Sequence, residues 1–115
     1  MKTRHFIIGF LISLATFSFG CGTARRGEPI SGPLTSLDSS AQRGRLVFHE
    51  HCHQCHPGGE GGLAPALNDK PAPVWLMKTQ VRTGLGTMPS FDDEAISSRE
   101  LDDLMAYVIA LRKHD

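Results

Sequence analysis

Two cysteines three residues apart, in Cys52-His53-Gln54-Cys55-His56, constrain this 115-residue chain more than any other feature. The third cysteine is Cys21, so a multi-disulfide framework, which needs a larger and even set, is excluded. Cys52 and Cys55 are also too close to close a large loop. The region that can fold is roughly 75 residues, and single cores of that size rarely supply more than about 3–5 kcal/mol. Something besides apolar packing must staple such a unit, and the pair points to a bound cofactor. The rest of the composition is ordinary. Twelve Lys+Arg balance twelve Asp+Glu, which leaves no basic footprint for nucleic acid.

The N-terminus is built for export. Lys2 and Arg4 precede Phe6 to Gly20, fifteen residues without a charge. A spanning helix needs roughly 20 apolar residues, and this run is shorter and contains Ser13, Thr16 and Ser18. A basic start and a short apolar core read as a secretory signal over residues 1–20, with an uncleaved signal anchor as the alternative. The run ends at Phe19-Gly20-Cys21, which resembles a bacterial lipoprotein signal with Cys21 as the lipidated residue. Ser18 stands where such signals usually have Leu, and a plain secreted protein cut nearby is the competing reading. A chain beginning at Cys21 has 95 residues, with 10 basic against 12 acidic. Several acyl chains on one cysteine would hold it on a membrane, each buried CH₂ contributing about 0.8 kcal/mol.

Residues 22–38 are rich in Gly, Pro, Ser and Thr without helical period, and read with Cys21 as an anchored flexible linker. Arg25-Arg26 follows the apolar run, so it is a solvated pair or a weak attraction to anionic lipid. The folded unit is then 39–115. Ser39-Ser40 can cap a first helix from Ala41 to about His49, with Leu46, Val47 and Phe48 as its apolar side. Gly44, on the face of Phe48, would admit another backbone. A second helix is expected from Val74 to Arg82, with Pro73 at N1 and Gly84 past the end. The last helix follows a Ser97-x-x-Glu100 capping box, and Leu101, Leu104, Met105, Val108 and Leu111 form its apolar stripe. No run alternates like a strand. The class is all-α, with Gly/Pro-rich loops at 57–72 and 83–92.

C-x-x-C-H reads as a c-type haem attachment site. Two thiols three residues apart can add to two vinyl groups on one porphyrin edge, and the next histidine then lies over the ring. A thioredoxin-like motif would need a βαβ context that this chain lacks. The cluster of His49, His51, Cys52, His53, Cys55 and His56 could instead hold zinc or copper, with His114 the one distant histidine after the signal. His49, His51 and His53 are expected to be exposed neighbours of the motif, too close to His56 to reach the opposite haem face. Met77 and Met105 fall in helical apolar patterns and suit a core. Met88, in Gly84-Leu85-Gly86-Thr87-Met88-Pro89, lies 32 residues after His56 and is the expected second iron ligand. Its alternative is a loop methionine capping the pocket.

From about Ala41 onward the chain resembles a small bacterial class I mono-haem c-type cytochrome. Gly44 with Phe48, CHQCH, Gly-Leu-Ala-Pro, Gly-x-Met-Pro and a final helix with Leu104 and Tyr107 arrive in that family's order. The resemblance implies a cytochrome c-like fold around one covalent haem c, with Cys52 and Cys55 as thioethers and His56 and Met88 on iron. It places Gly44, Phe48, Leu104 and Tyr107 where the first and last helices cross. Pro65 matches the proline whose carbonyl takes the Nδ1–H of the proximal histidine. Trp75, Gln80 and Arg82 are candidates for haem packing or propionate contacts, with core burial an equal reading of Trp75. The implied function is one-electron transfer without catalysis of its own, at the periplasmic face of a bacterial membrane. Redox partners would dock at the exposed haem edge near Cys52. An electron-entry subunit of a larger complex, a haem ligand sensor and a haem-free metal or thiol protein stay open beside it.

Overall fold

In the computed structural model of the chain, residue 34 and residues 36–69 and 71–113 are described. The signal, Cys21, most of the linker, Lys70 and His114 lie outside them. Three α-helices follow in order: α1 (Ser39–His51), α2 (Val74–Thr83) and α3 (Ser98–Arg112), with a 3-10 turn at Pro57–Gly59 after α1. Among the described residues there is no strand, only an isolated bridge between Leu85 and Met88. The all-α reading holds.

Helix α1 starts two residues before the expected Ala41, because Asp38, not the Ser39-Ser40 pair, is its cap. The Asp38 carboxylate accepts from the Ala41 N–H at 2.8 Å, and an acidic cap also suits the positive end of the helix dipole. Ser40 is thereby free for another bond, described below. The buried positions of α1 are Ala41, Gly44 and Phe48, one stripe at spacings of three and four. Leu46 falls off that stripe and is 69% exposed, so it is not part of the apolar side expected for it. Leu34 and Leu37 pack against the edge of the core, so ordered chain reaches back before residue 39.

Helix α2 spans the expected segment, but Pro73 is its N-cap instead of its first residue. Gly84 ends it with φ of 70°, donating to the Gln80 carbonyl. Helix α3 carries the full capping box, and bonds donated by the Ser97 hydroxyl and then its N–H hold the Glu100 carboxyl below its usual range. Leu101, Leu104, Met105, Val108 and Leu111 are all buried, as their spacing requires. Met77 and Val81 add the α2 contribution to this core.

The fold turns on the crossing of α1 and α3. A Cβ at Gly44 would stand 1.9 Å from the Asp103 carbonyl oxygen, so the two backbones touch there. One turn further, the Phe48 and Tyr107 rings meet edge-on at 5.2 Å between centroids. Beside this contact lies a buried carboxylate that composition does not announce. Asp103 accepts from Arg43 Nε at 2.7 Å, from a second guanidinium nitrogen at 2.9 Å, and from the Ser40 hydroxyl.

Arg43 first, then Ser40, hold the Asp103 carboxyl down at about 2 against an ordinary 3.8. A depressed carboxylate stabilises the fold fully above the unfolded value and loses that contribution as pH falls through the folded one. Wild-type helicity should therefore acquire a steep pH dependence between about 4 and 2. Asp103→Asn should be less stable at neutral pH and lack that share of the acid slope, read by far-UV ellipticity in an acid titration. An unchanged slope would remove Asp103 from the acid transition.

Candidate haem site

The motif is shaped by the way α1 ends. Cys52 caps the helix through its N–H to the Phe48 carbonyl at 2.8 Å, and His53 donates to the same oxygen at 2.9 Å. Cys55 and His56 then fold back and both donate to the Cys52 carbonyl, at 3.1 and 2.9 Å. Two successive turns thus set both cysteines and the histidine at one helix end. Both thiols are free and half-buried, and Cys52 packs against the core. Burial, and then the neighbouring Cys55, push the Cys52 thiol up to about 11, so it is protonated at neutral pH.

His56 is 8% exposed, and its Nδ1 lies 2.8 Å from the Pro65 carbonyl oxygen. A carbonyl can only accept, so Nδ1 carries the proton and Nε2 keeps its lone pair for a metal. The loop that presents Pro65 is tightly tied. Ala64 donates to the Cys55 carbonyl at 3.1 Å, and Leu67 and Asn68 donate to the Gly59 carbonyl at 2.8 and 3.1 Å. Gly59, with φ of 86°, presses on α3, where an added Cβ would meet a Leu111 methyl at 2.7 Å. Arg112 fixes the far side of this loop, donating to the Leu67 and Ala72 carbonyls at 3.1 and 3.0 Å.

The Met88 loop is also held at both ends. Met88 donates to the Leu85 carbonyl at 3.0 Å, closing a turn with Gly86 at φ of 62°. A Cβ at Gly84 would lie 2.5 Å from the Met88 carbonyl oxygen, so only glycine lets α2 end against this loop. Phe91 returns to α2 by donating to the Val81 carbonyl at 2.9 Å. Met88 itself is half-buried and packs at the rim of the core, as Cys52 does.

Arg82 has structural work in this loop. Its guanidinium donates to the carbonyls of Phe91, Asp92 and Ile96 at 3.1, 2.9 and 2.6 Å and pairs with Asp93 at 2.7 Å. Four loop oxygens thus take hydrogen bonds from its two terminal nitrogens. Trp75 is 68% exposed, which removes core burial as its explanation. Gln80 is half-buried on α2. His49 and His53 are exposed with their rings 4.8 Å apart, while His51 is half-buried edge-on to Phe91. Among the described residues no three His, Cys, Asp or Glu side chains gather round one point, so the zinc or copper reading has no donor set there.

The residues present fit a covalent haem. Leu63 at 81%, Trp75 at 68% and Leu85 at 69% leave large apolar side chains on the surface. They come from the loop after the motif, the start of α2 and the Met88 loop. Apolar residues concentrated in the segments that carry the thiols, the imidazole and the thioether are what a large flat apolar cofactor would cover. Leu63 and Leu85 were not singled out by sequence reasoning. Their signal is an isolated leucine within a Gly/Pro-rich loop, where no helical period gives it a core to join.

A three-helix domain with a vicinal thiol pair at a helix end and a carbonyl-anchored histidine beside it defines a mono-haem c-type cytochrome. The chain belongs to the family described as cytochrome c oxidase, cbb3-type, subunit III, which matches residues 39–108. It is similar to cytochrome c6 of Gloeothece citriformis, 32% identical over 77 residues, covering 60% of this chain and 69% of that protein. A cytochrome c6 of Cyanidioschyzon merolae is 32% identical over 78 residues, with 61% and 73% covered. The cytochrome bc1 complex cytochrome c subunit of Corynebacterium efficiens is 33% identical over 90 residues. That match takes in 72% of this chain but only 29% of the larger subunit. No solved structure matches. The domain is an electron-transfer cytochrome with haem c as its cofactor, a carrier and not an enzyme.

Proposed function

We propose that this cytochrome is an exported, lipid-anchored shuttle whose iron is held by His56 and Met88 and whose partners are respiratory or dehydrogenase proteins. The observation that supports the reading is that each candidate donor is tied down by its own surroundings. His56 is locked in one tautomer by Pro65, and Met88 sits in a loop pinned at Gly84 and Phe91. When bound, haem c supplies an iron that alternates between ferric and ferrous states. The chain's part is to keep both ligands still, so that little rearranges on electron exchange. Cys52 and Cys55 would hold the cofactor covalently. The signal over 1–20, the anchor at Cys21 and the linker to residue 38 would place the domain on the periplasmic side of a bacterial membrane. No helix among the described residues is long and apolar enough to cross that membrane.

A second reading treats the domain as the electron-entry part of a larger oxidoreductase complex. The subunit III description of its family and the bc1 complex subunit among its relatives favour it. Both readings share the ligand set, and Met88→Ala tests that. Removing the thioether should give a high-spin haem that binds carbon monoxide when reduced. The midpoint potential should fall by on the order of 0.1 V. A low-spin spectrum identical to wild type would take Met88 off the iron, and carbon monoxide binding by the wild type would favour a sensor.

A further inference from the structure

The face that receives the N-terminal segment differs from the rest of the surface. Leu34 and Leu37 lie with the α1 positions Gln42, Arg43 and Leu46 around a hollow of about 580 Å³. Leu46 is 69% exposed beside it. A second hollow of about 300 Å³ continues past Leu34 and Leu37 to Ile109 and Lys113 of α3 and its end. Neither hollow is lined by a residue of the Cys52–His56 motif or of the Met88 loop.

The charge here is cationic. Arg43 is matched by the buried Asp103, but among the described residues no carboxylate pairs with Arg45 or Lys113. Among the described residues that line the two hollows the acid is Asp38, which caps α1 and keeps its negative charge, against Arg43, Arg45 and Lys113. The loop after Met88 has the opposite character, with Asp92, Asp93 and Glu94 all exposed. Arg25 and Arg26 stand in the segment that leads to Leu34.

We propose that this face, with Leu34, Leu37, Leu46, Arg45 and Lys113, rests on an anionic lipid surface. The inference builds on the lipid-anchored reading for the side that meets the bilayer. From Cys21 to Leu34 is 13 residues, and a flexible coil of that length spans roughly 20 Å. A domain of this size is roughly 30 Å across, so a relaxed tether keeps its point of entry at the lipid. There the two unpaired cations meet lipid phosphates, and the exposed leucine meets the acyl boundary. Docking this way leaves the motif and the Met88 loop free for a redox partner.

The test uses the haem-loaded, exported mature chain from position 21 onward carrying Cys21→Ser, so that neither the apolar signal nor an acyl chain masks the protein surface. It is sedimented with vesicles of equal phosphatidylglycerol and phosphatidylcholine, or of phosphatidylcholine alone. Binding is expected to the anionic vesicles only, and to vanish in high salt. A cation at such a surface contributes about fivefold, so reversing two, as Arg45→Glu with Lys113→Glu, should weaken binding more than about 25-fold. Leu46→Asp, at an exposed site, should weaken it further without unfolding the domain. Adding Glu94→Lys to the double reversal should not restore binding. If it does, net charge rather than this face is responsible and the proposal falls. It falls equally if the double reversal binds as wild type, or if Leu46→Asp instead abolishes a dimer in solution. Mass analysis of the native chain judges the anchor separately: a bare Cys21 thiol overturns the tether, and the vesicle result stands or falls without it.

Discussion

Replacing Cys52 and Cys55 together by serine should yield a chain that shows no haem on a denaturing stained gel and has lost most of its helical ellipticity. The reason lies in how little interior the protein has alone. The buried apolar set among the described residues is Phe48, Tyr107, Ile96 and the α3 stripe, with Met77, Val81 and two small alanines around them. Leu63, Trp75 and Leu85 contribute nothing to it and remain on the surface. Covering three such side chains is worth about 1.5–3 kcal/mol each, on the order of the 3–5 kcal/mol that a core of this size supplies. Covalent attachment keeps that cover at hand at any concentration, which free cofactor does not. Single Cys55→Ser should retain one thioether and unfold at an intermediate temperature. A double variant with wild-type ellipticity would show that the polypeptide suffices by itself.

The sequence shows most plainly the parts that depend on neighbours three and four residues away. The Ser97 to Glu100 box, the stripe from Leu101 to Leu111 and the Gly44–Phe48 pair are all local patterns, and each is found where its period puts it. The anchoring of His56 by Pro65 was legible only through resemblance, because nine residues of irregular loop separate donor from acceptor. Three features were hidden for distinct reasons. Asp38, Ser39 and Ser40 are all good caps in a row. Asp38 takes the cap, and the hydroxyl of Ser40 goes to Asp103, a residue 63 positions away that local pattern does not reveal. Asp103 looks like half of a solvated Asp102-Asp103 pair, yet it shares the spacing of Tyr107 and Leu111 and so belonged to the buried side from the start. Arg82 carries a charge near a proposed cofactor site, which favours a propionate reading, and only the return of the chain at Phe91 to Ile96 shows the carbonyls it serves.

Gly44→Val is expected to leave no stable fold, and Gly44→Ala to lower the unfolding temperature by roughly 15–20 °C, a loss of about 3 kcal/mol for a domain of this size. A Cβ at this position would stand 1.9 Å from the Asp103 oxygen, 2.4 Å from its carbon and 2.9 Å from the Leu104 nitrogen. All three atoms are backbone, so no rotamer change relieves the overlap. The helices must separate, and everything along their seam separates with them. Phe48 would lift off Tyr107, and the Arg43 bonds to Asp103 would lengthen from 2.7 and 2.9 Å. Alanine does gain about 1 kcal/mol of helix propensity over glycine, but overpacking alone costs about 1–3 kcal/mol before the lost contacts are counted. Gly86 provides the control. Nothing lies within 4 Å of a Cβ there, so Gly86→Ala carries only the strain of φ at 62°, of order 1–2 kcal/mol. Thermal unfolding of the two haem-loaded alanine variants separates the causes. If Gly44→Ala costs no more than Gly86→Ala, the seam has room for a Cβ at position 44, and α1 and α3 are not held together by contact between their backbones.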